Sequence, residues 1–343
     1  MTSTATVNSE TVYRFHEHVV RFHRAHTVML VSKKDGTSVR VSQGAVDLLP
    51  LLAEGADSET LVARLRALYP QARNPASKLK MFLAQLAQAG LLDNLVEQPR
   101  VKPSARKIVL GNPDAVAKKF ASAFMLVPSW LRAAFTVSLI IAACAGIGAL
   151  FLDKNNLPHP MRLFDAFSVW GLMAFIILVV PLHEFAHAVA CRMSGVPVGQ
   201  AGLLFHGIMP GPYVDTGFFY QIRGKFQRFR VPAAGPLIDL LAAGTAAWLL
   251  VLFDSTSFSP ALVTLFLLSM AFVYLDTNPL APSDGSRMLE ALLDDELARR
   301  SALSRRRSGL SYWKSVWLYR ATIVLHFAIS ALFIWYWWTQ SVR

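Results

Sequence analysis

The sequence predicts a mainly α-helical membrane protein with about five transmembrane helices, a small membrane-associated β element and an N-terminal α+β domain. Three observations lead there. The 343 residues are 54% hydrophobic, where soluble domains sit near about 45–50%. The excess is gathered into runs close to the ~20 apolar residues that a spanning helix requires, and the first 128 residues contain no such run. Positive charge is concentrated in alternate segments between the runs.

The runs cover 130–152, 167–191, 233–253, 261–280 and 316–338. Net charge is +12, with 17 Lys and Arg before the first run, five in 192–231 and seven in 281–315. The other two connections hold only Lys154 and Arg162. By the positive-inside rule the N-terminal region and both long connections lie in the cytoplasm, and an odd number of spans puts the C-terminus outside. Topology accounts for the basic excess, which argues against a nucleic-acid partner. No cleavable signal peptide is expected at the start. Cys144 and Cys191 each fall inside a run and form neither a disulfide framework nor a cysteine metal site.

In chain order, residues 1–12 read as a flexible tail and 13–95 as a small soluble domain. Residues 28–31 and 38–41 are β-branched runs around Lys33-Lys34-Asp35-Gly36, a hairpin signal with Asp-Gly at its turn. Ser42 is a candidate N-cap for a helix over 45–52. Ser58 is the candidate cap of a second, in which Leu61, Val62, Leu65 and Leu68 recur at helical spacing before Pro70. A third helix over about 77–89 carries Leu79, Phe82, Leu83 and Leu86 on one face, and Gly90 stops it. Residues 91–94 read as the first strand of a wing. Two strands, three helices and a terminal strand make a winged-helix pattern whose order resembles the PqqD-like peptide-recognition domains. That resemblance covers about 80 residues and rests on pattern, without an invariant motif. It implies leader-peptide binding by strand addition; a dimerisation element or regulatory lid is the alternative use of such a domain.

Residues 96–128 read as a linker, proline-flanked at 99–103, followed by an amphipathic helix over 114–127. Val116, Phe120, Ala123, Phe124 and Val127 share a face while Lys118 and Lys119 face away, as for a helix lying in the membrane interface. Residues 129–343 form the polytopic domain. Within it, glycines punctuate Leu203-Leu204-Phe205 and Phe218-Phe219-Tyr220, which predicts short strands partly in the membrane. Such backbone survives there only when buried in protein or lining water. Arg305-Arg306-Arg307 is a solvated charge run near anionic headgroups. In the last run Arg320 is read as snorkelling to the interface and His326 as a packing histidine.

His183-Glu184-Phe185-Ala186-His187 lies inside the second run. On a helix, H-E-x-x-H sets two imidazoles one turn apart on one face, the bite for a single Zn²⁺, with the glutamate beside them as general base. Ionisable groups within a span are costly and functional by default. A catalytic zinc takes three protein ligands and keeps one position open, so a third ligand must lie at the same depth. The fourth run ends on that side, at Asn278-Pro279-Leu280-Ala281-Pro282-Ser283-Asp284-Gly285, where prolines and glycine break the helix. Asp284 is the first candidate; Asp276, His206 and Asp215 are the others. Asn278 is a candidate donor to the substrate backbone or the oxyanion, or else caps the broken helix.

This pair of motifs, roughly a hundred residues apart on two runs, resembles the site-2 protease family of intramembrane zinc metalloproteases. The family's three-span catalytic core corresponds to the second, third and fourth runs, residues about 167–290. The resemblance implies that His183, His187 and Asp284 bind one zinc per chain and that Glu184 is catalytic. Ala234-Gly235-Pro236 is similar to the family's Gly-Pro element. Two positions depart from the pattern: Asp239 stands where the family has asparagine, and Ser283 stands where it often has leucine. No stretch resembles a PDZ domain.

The expected activity is therefore zinc-dependent hydrolysis of a peptide bond within the membrane, by a multi-pass protein of a bacterial cytoplasmic membrane with its N-terminal domain in the cytosol. Expected partners are the lipid bilayer and a peptide or membrane-protein substrate; a homo-oligomer is left open. One substrate reading is a ribosomally made peptide whose leader docks on residues 13–95. Another is a regulatory membrane protein such as an anti-sigma factor. A third makes the chain a non-proteolytic sensor or transport accessory, and the retained Glu184 argues against it.

Overall fold

The computed structural model describes residues 11–23, 28–34, 36–41, 43–71, 74–93, 106–152, 167–206, 209–253, 259–304 and 313–341. Most of the expected tail, Asp35 of the hairpin turn, Ser42, the 99–103 linker and Arg305–Arg307 lie outside them.

The N-terminal region opens with β1 (Val19–His23), β2 (Val28–Ser32) and β3 (Ser38–Val41), an antiparallel sheet in that order. In its register Leu30 faces Arg21 on one side and Val39 on the other. All five residues of β2 are buried, as a central strand covered on both faces demands. The β1 strand, unanticipated from sequence, mixes Arg21 and His23 into a half-exposed edge, where Arg21 donates to the Leu49 carbonyl at 2.7 Å. Four helices follow: α1 (Gln43–Val46), α2 (Leu49–Glu54), α3 (Ser58–Leu68) and α4 (Pro75–Gln88). The N-cap of α3 is Asp57 rather than Ser58, with its side chain accepting from Thr60 N at 2.7 Å. Leu30, Leu52, Leu61, Leu83 and Leu86 close the core. The expected wing strand is a single antiparallel bridge between Phe15 and Leu92.

A second sheet begins with β4 (Arg106–Gly111), in a segment read from sequence as linker. Then come α5 (Asp114–Met125), α6 (Ser129–Leu152) and α7 (Val169–Ala174), the last passing through a π-turn at Phe175–Val179 into α8 (Val180–Met193). The strands β5 (Ala201–His206) and β6 (Met209–Val214) complete an antiparallel sheet in the order β4-β5-β6. After a short 3-10 turn at Gly217–Gln221 the chain continues through α9 (Lys225–Leu252), α10 (Ser259–Asp276), α11 (Asp284–Leu293), α12 (Ala298–Leu303) and α13 (Trp313–Ser341).

Among the described residues, five helical segments are long and apolar enough to cross a membrane: Ser129–Leu152, Val169–Met193, Lys225–Leu252, Ser259–Asp276 and Trp313–Leu332. They make the chain a multi-pass membrane protein. The interior of this bundle sets small residues beside a few large ones, Leu150, Leu250 and Phe266. Ala143 of α6 and Ala243, Ala246 and Ala247 of α9 are buried, while Trp170, Ile177, Leu325 and Trp335 point outward. Small residues let helix backbones approach closely where lipid supplies no hydrophobic drive to associate. The long α9 is the centre: α6, α8, α10 and α11 all pack on it.

Candidate metal centre

The α8 helix carries the two histidines. Its approach is shaped by the π-turn, a one-residue widening of the helix often found beside functional sites. Its far end is tied to α5: Asp114 accepts from Arg192 and, at 2.8 Å, from the Val198 N–H. Burial alone would push the Asp114 carboxyl up, but Arg192 and the Val198 N–H outweigh it and hold it below the usual range. The expected apolar stripe of α5 stays exposed at Val116, Phe120 and Phe124, while Ala117 and Ala121 are buried on the side towards α8. Phe120 also meets Phe185 edge-on, with ring centroids 5.3 Å apart.

His183 and His187 are buried on the face of α8 that meets α9. His183 Nδ1 lies 2.8 Å from Asp239 Oδ2, and His187 Nδ1 lies 2.7 Å from the Val231 carbonyl. A carbonyl only accepts, so His187 carries its proton on Nδ1 and leaves the Nε2 lone pair free. The Asp239 carboxylate sets the same tautomer on His183. The two Nε2 atoms then face each other at 3.2 Å. Asp284 completes the group, its Oδ2 at 3.0 Å from His187 Nε2 and 3.5 Å from His183 Nε2.

Three lone-pair donors thus converge with no proton between them to share. Ligands at about 2.0–2.1 Å around a tetrahedral zinc are separated by about 3.3 Å, and these three separations bracket that value. The residues fit a zinc ion. Gly235 of α9 explains how the fit is possible, because a Cβ there would sit 2.3 Å from His183 Nε2 and 2.4 Å from His187 Nε2. Pro232 and Pro236 interrupt the α9 backbone ladder on either side of it.

Asp284 is held by the turn between α10 and α11. The Ser283 side chain caps α11 by accepting from Ser286 N and donates its own hydroxyl proton to the Asn278 carbonyl. A Cβ on Gly285 would lie 2.5 Å from the Thr277 carbonyl, so the Asp-Gly pair permits α11 to start this close to the end of α10. An ion pair from buried Arg228 of α9 to Asp294 anchors the other end of α11.

The remaining expected residues fall at different distances. Glu184 lines the same cavity of about 290 Å³ as His183, His187 and Asp284. Its Oε2 accepts from the Val214 N–H of β6 at 3.0 Å. Asp276 borders the cavity, but it reaches only the committed Nδ1 side of His183, at 3.9 Å. The Asp215 side chain is used locally, accepting from Gly217 N at 2.9 Å. The His206 side chain lies outside the described residues. Asn278 is not on the cavity wall; its Oδ1 accepts from Leu280 N at 2.9 Å and shapes the turn. Outside the site, His326 stacks on Tyr274, and Arg320 donates to the Ala302 and Ser304 carbonyls at the end of α12. Sequence reasoning did not anticipate the partner of Asp239, the Val231 carbonyl, the closeness of Gly235 or the Val214 bond. The departure at Asp239 and the Gly-Pro element at Gly235 were the available signals among these.

Membrane-crossing helices thus bring together two histidines and an aspartate that could hold a metal ion, with a glutamate on the wall of the same cavity. Residues 170–262 of the chain match the family described as Peptidase family M50. That stretch includes His183, Glu184, His187, Gly235 and Asp239 but ends before Asp284, which the fold alone brings to the two histidines. An uncharacterized protein of the archaeon Methanocaldococcus jannaschii is 30% identical over 93 residues, 26% of this chain and 25% of that one. The similarity therefore spans about a quarter of that relative's length. No solved structure matches the chain.

Proposed function

We propose that the chain is a zinc-dependent intramembrane endopeptidase with His183, His187 and Asp284 as ligands and Glu184 as general base. The observation that carries this reading is the convergence of two Nε2 atoms and one carboxylate oxygen on a cavity that Glu184 also lines, beside membrane-crossing helices. Zinc bound there supplies Lewis acidity, polarising the scissile carbonyl and lowering the pKa of water to about 7. Glu184 takes the proton of the attacking water on its carboxylate, the water oxygen bonds to the carbonyl carbon, and the proton passes to the nitrogen as the C–N bond breaks. Asp239 and the Val231 carbonyl hold the imidazoles in register throughout. On this reading the side of the membrane that carries residues 13–95 is the cytosolic one of a bacterial cell.

The substrate reading we favour is a ribosomally made peptide docked through its leader on residues 13–95. It is supported by a groove of about 1150 Å³ bordered by Ser38, Arg40 and Val41 of β3, Phe82 of α4, and Leu297 and Arg300 from the membrane domain. An edge strand beside an open groove takes an extended peptide by main-chain pairing. The test uses the detergent-solubilised chain loaded with zinc. Glu184→Gln is expected to retain one zinc and to lose hydrolysis of an apolar quenched-fluorescent peptide by several orders of magnitude. Near-normal turnover in that variant would overturn the mechanism.

A further inference from the structure

Among the described residues the outer edge of β6 pairs with no strand, its end at Tyr213 and Val214 lines the cavity beside Glu184, and strand parity decides what that edge offers. The Asp215 N–H donates to the Gln200 carbonyl at 2.8 Å, on the β5 side. Main-chain groups of residues 213 and 211, which share its parity, therefore also turn to β5. Those of 210, 212 and 214 turn to the free edge. Two of these three are Pro210 and Pro212, which have no N–H. The free edge thus presents carbonyls at all three positions and a single N–H, that of Val214. That N–H is the one donated to Glu184 Oε2.

Resting on the peptidase reading above, we propose that the Val214 main-chain N–H is the positioning donor for substrate and that its capture by the substrate frees Glu184. An extended segment lies along β6 and gives its own N–H groups to the Pro210 and Pro212 carbonyls. One of its carbonyls accepts from Val214 N–H, in the place now held by the Glu184 carboxylate. The base is thus released only when a peptide is seated, and the carbonyl that displaces it adjoins the bond to be cut. The substrate class follows from the edge: a proline-free extended segment, because a proline opposite either carbonyl brings no N–H to it.

Prolines also blunt sheet edges against unwanted pairing, and that role alone predicts no coupling between Val214 and Glu184. The experiment measures this coupling. A fluorescein-labelled, apolar, proline-free peptide is titrated by anisotropy into the zinc-loaded, detergent-solubilised full chain. Glu184→Gln and Glu184→Ala are compared, each with the Val214 amide intact and with an ester in its place, introduced through α-hydroxyvaline. With the amide intact, Glu184→Ala should bind about fivefold tighter than Glu184→Gln, since glutamine still competes for the N–H. The ester should weaken binding and erase that difference. In the chain with Glu184 present, the ester should raise KM about fivefold and leave kcat within about twofold. Equal affinity of the two Glu184 variants, an ester without effect, or no binding at all would overturn the proposal. Coupled binding with no cleavage by the unsubstituted chain would instead refute the peptidase reading and leave the pairing in place.

Discussion

Two edge strands, β3 and β6, each border a cavity, and they differ in what they offer to a partner. Ser32 N–H donates to the Thr37 carbonyl, so by parity Ser38 and Arg40 turn their main-chain groups outward, each with an N–H. The β3 edge flanks the larger groove, away from the histidines. Pro210 and Pro212 strip donors from the β6 edge, which flanks the smaller cavity containing them. On the proposed reading, the first edge holds a peptide and the second admits only the piece to be cut. The two domains are opposed in packing as well. Leucines fill the N-terminal core, whereas the bundle buries alanine, glycine, histidine and aspartate beside a few large apolar side chains and turns many others, such as Trp170, Ile177 and Leu325, outward. Water drives leucine inward in the first, while lipid accepts it at the surface of the second.

The contrast breaks most severely if the β6 side holds no metal. His187→Ala or Asp284→Ala is expected to lose bound zinc, read by elemental analysis of the purified chain, together with all hydrolysis. Full occupancy in Asp284→Ala would remove that residue from the ligand set and make Asp276 the next to try. Gly235→Ala should follow closely, since its Cβ would overlap both Nε2 atoms; it is expected to lower zinc occupancy in an otherwise folded chain, checked by circular dichroism. Asp239→Ala should weaken zinc affinity by about 10–100-fold, as outer partners of metal-bound histidines do. Asp239→Asn, which keeps an oxygen to accept from His183 Nδ1, should recover part of it in a chelator competition.

Smaller effects belong to the β3 side. Ser38→Pro transfers the β6 pattern to β3 by removing an outward N–H while sparing the bonds to β2. It should lower kcat/KM for a leader-bearing precursor about fivefold, and leave a short peptide spanning only the scissile region unchanged. Equal loss on both would assign the domain a lid or dimerisation role. The smallest effect is a pH dependence at the seam between the domains, where Arg40 meets Tyr220 and the Glu296 carbonyl. Burial pushes the Glu290 carboxyl up to about 7, against Arg40. The folded state then holds a proton between about pH 4.5 and 7 that the unfolded chain has released, so stability falls as pH rises through that window. Glu290→Gln should flatten the change in melting temperature over that range, and an unchanged profile would place the pH dependence elsewhere.

Much of this could be read along the chain. Hydropathy located all five crossing segments, because a span is a local property of some twenty residues. Boundaries moved where tertiary contact overrides hydropathy. The third segment begins at Lys225, eight residues before its apolar run, because Arg228 is buried against Asp294. The fourth ends at Asp276, where the Asn278 turn takes over. Both β1 and β4 escaped notice, since five or six mixed residues carry no periodicity strong enough to distinguish strand from loop.

By itself the sequence determined which atoms the chain has for a metal. H-E-x-x-H puts two imidazoles and a carboxylate on one stretch of helix through the 3.6-residue period alone, and the broken helix at Asn278–Gly285 marks where a third ligand is free to turn inward. The tertiary structure decided the rest. It brought Asp284 within 3.0 Å of His187 and seated Asp239, 56 residues from His183, on its Nδ1. It also pressed Gly235 against both rings and gave the Val214 N–H to Glu184. These are contacts between elements far apart in the chain. Their distances follow from how helices and strands pack, and a linear pattern of residues carries no record of that packing.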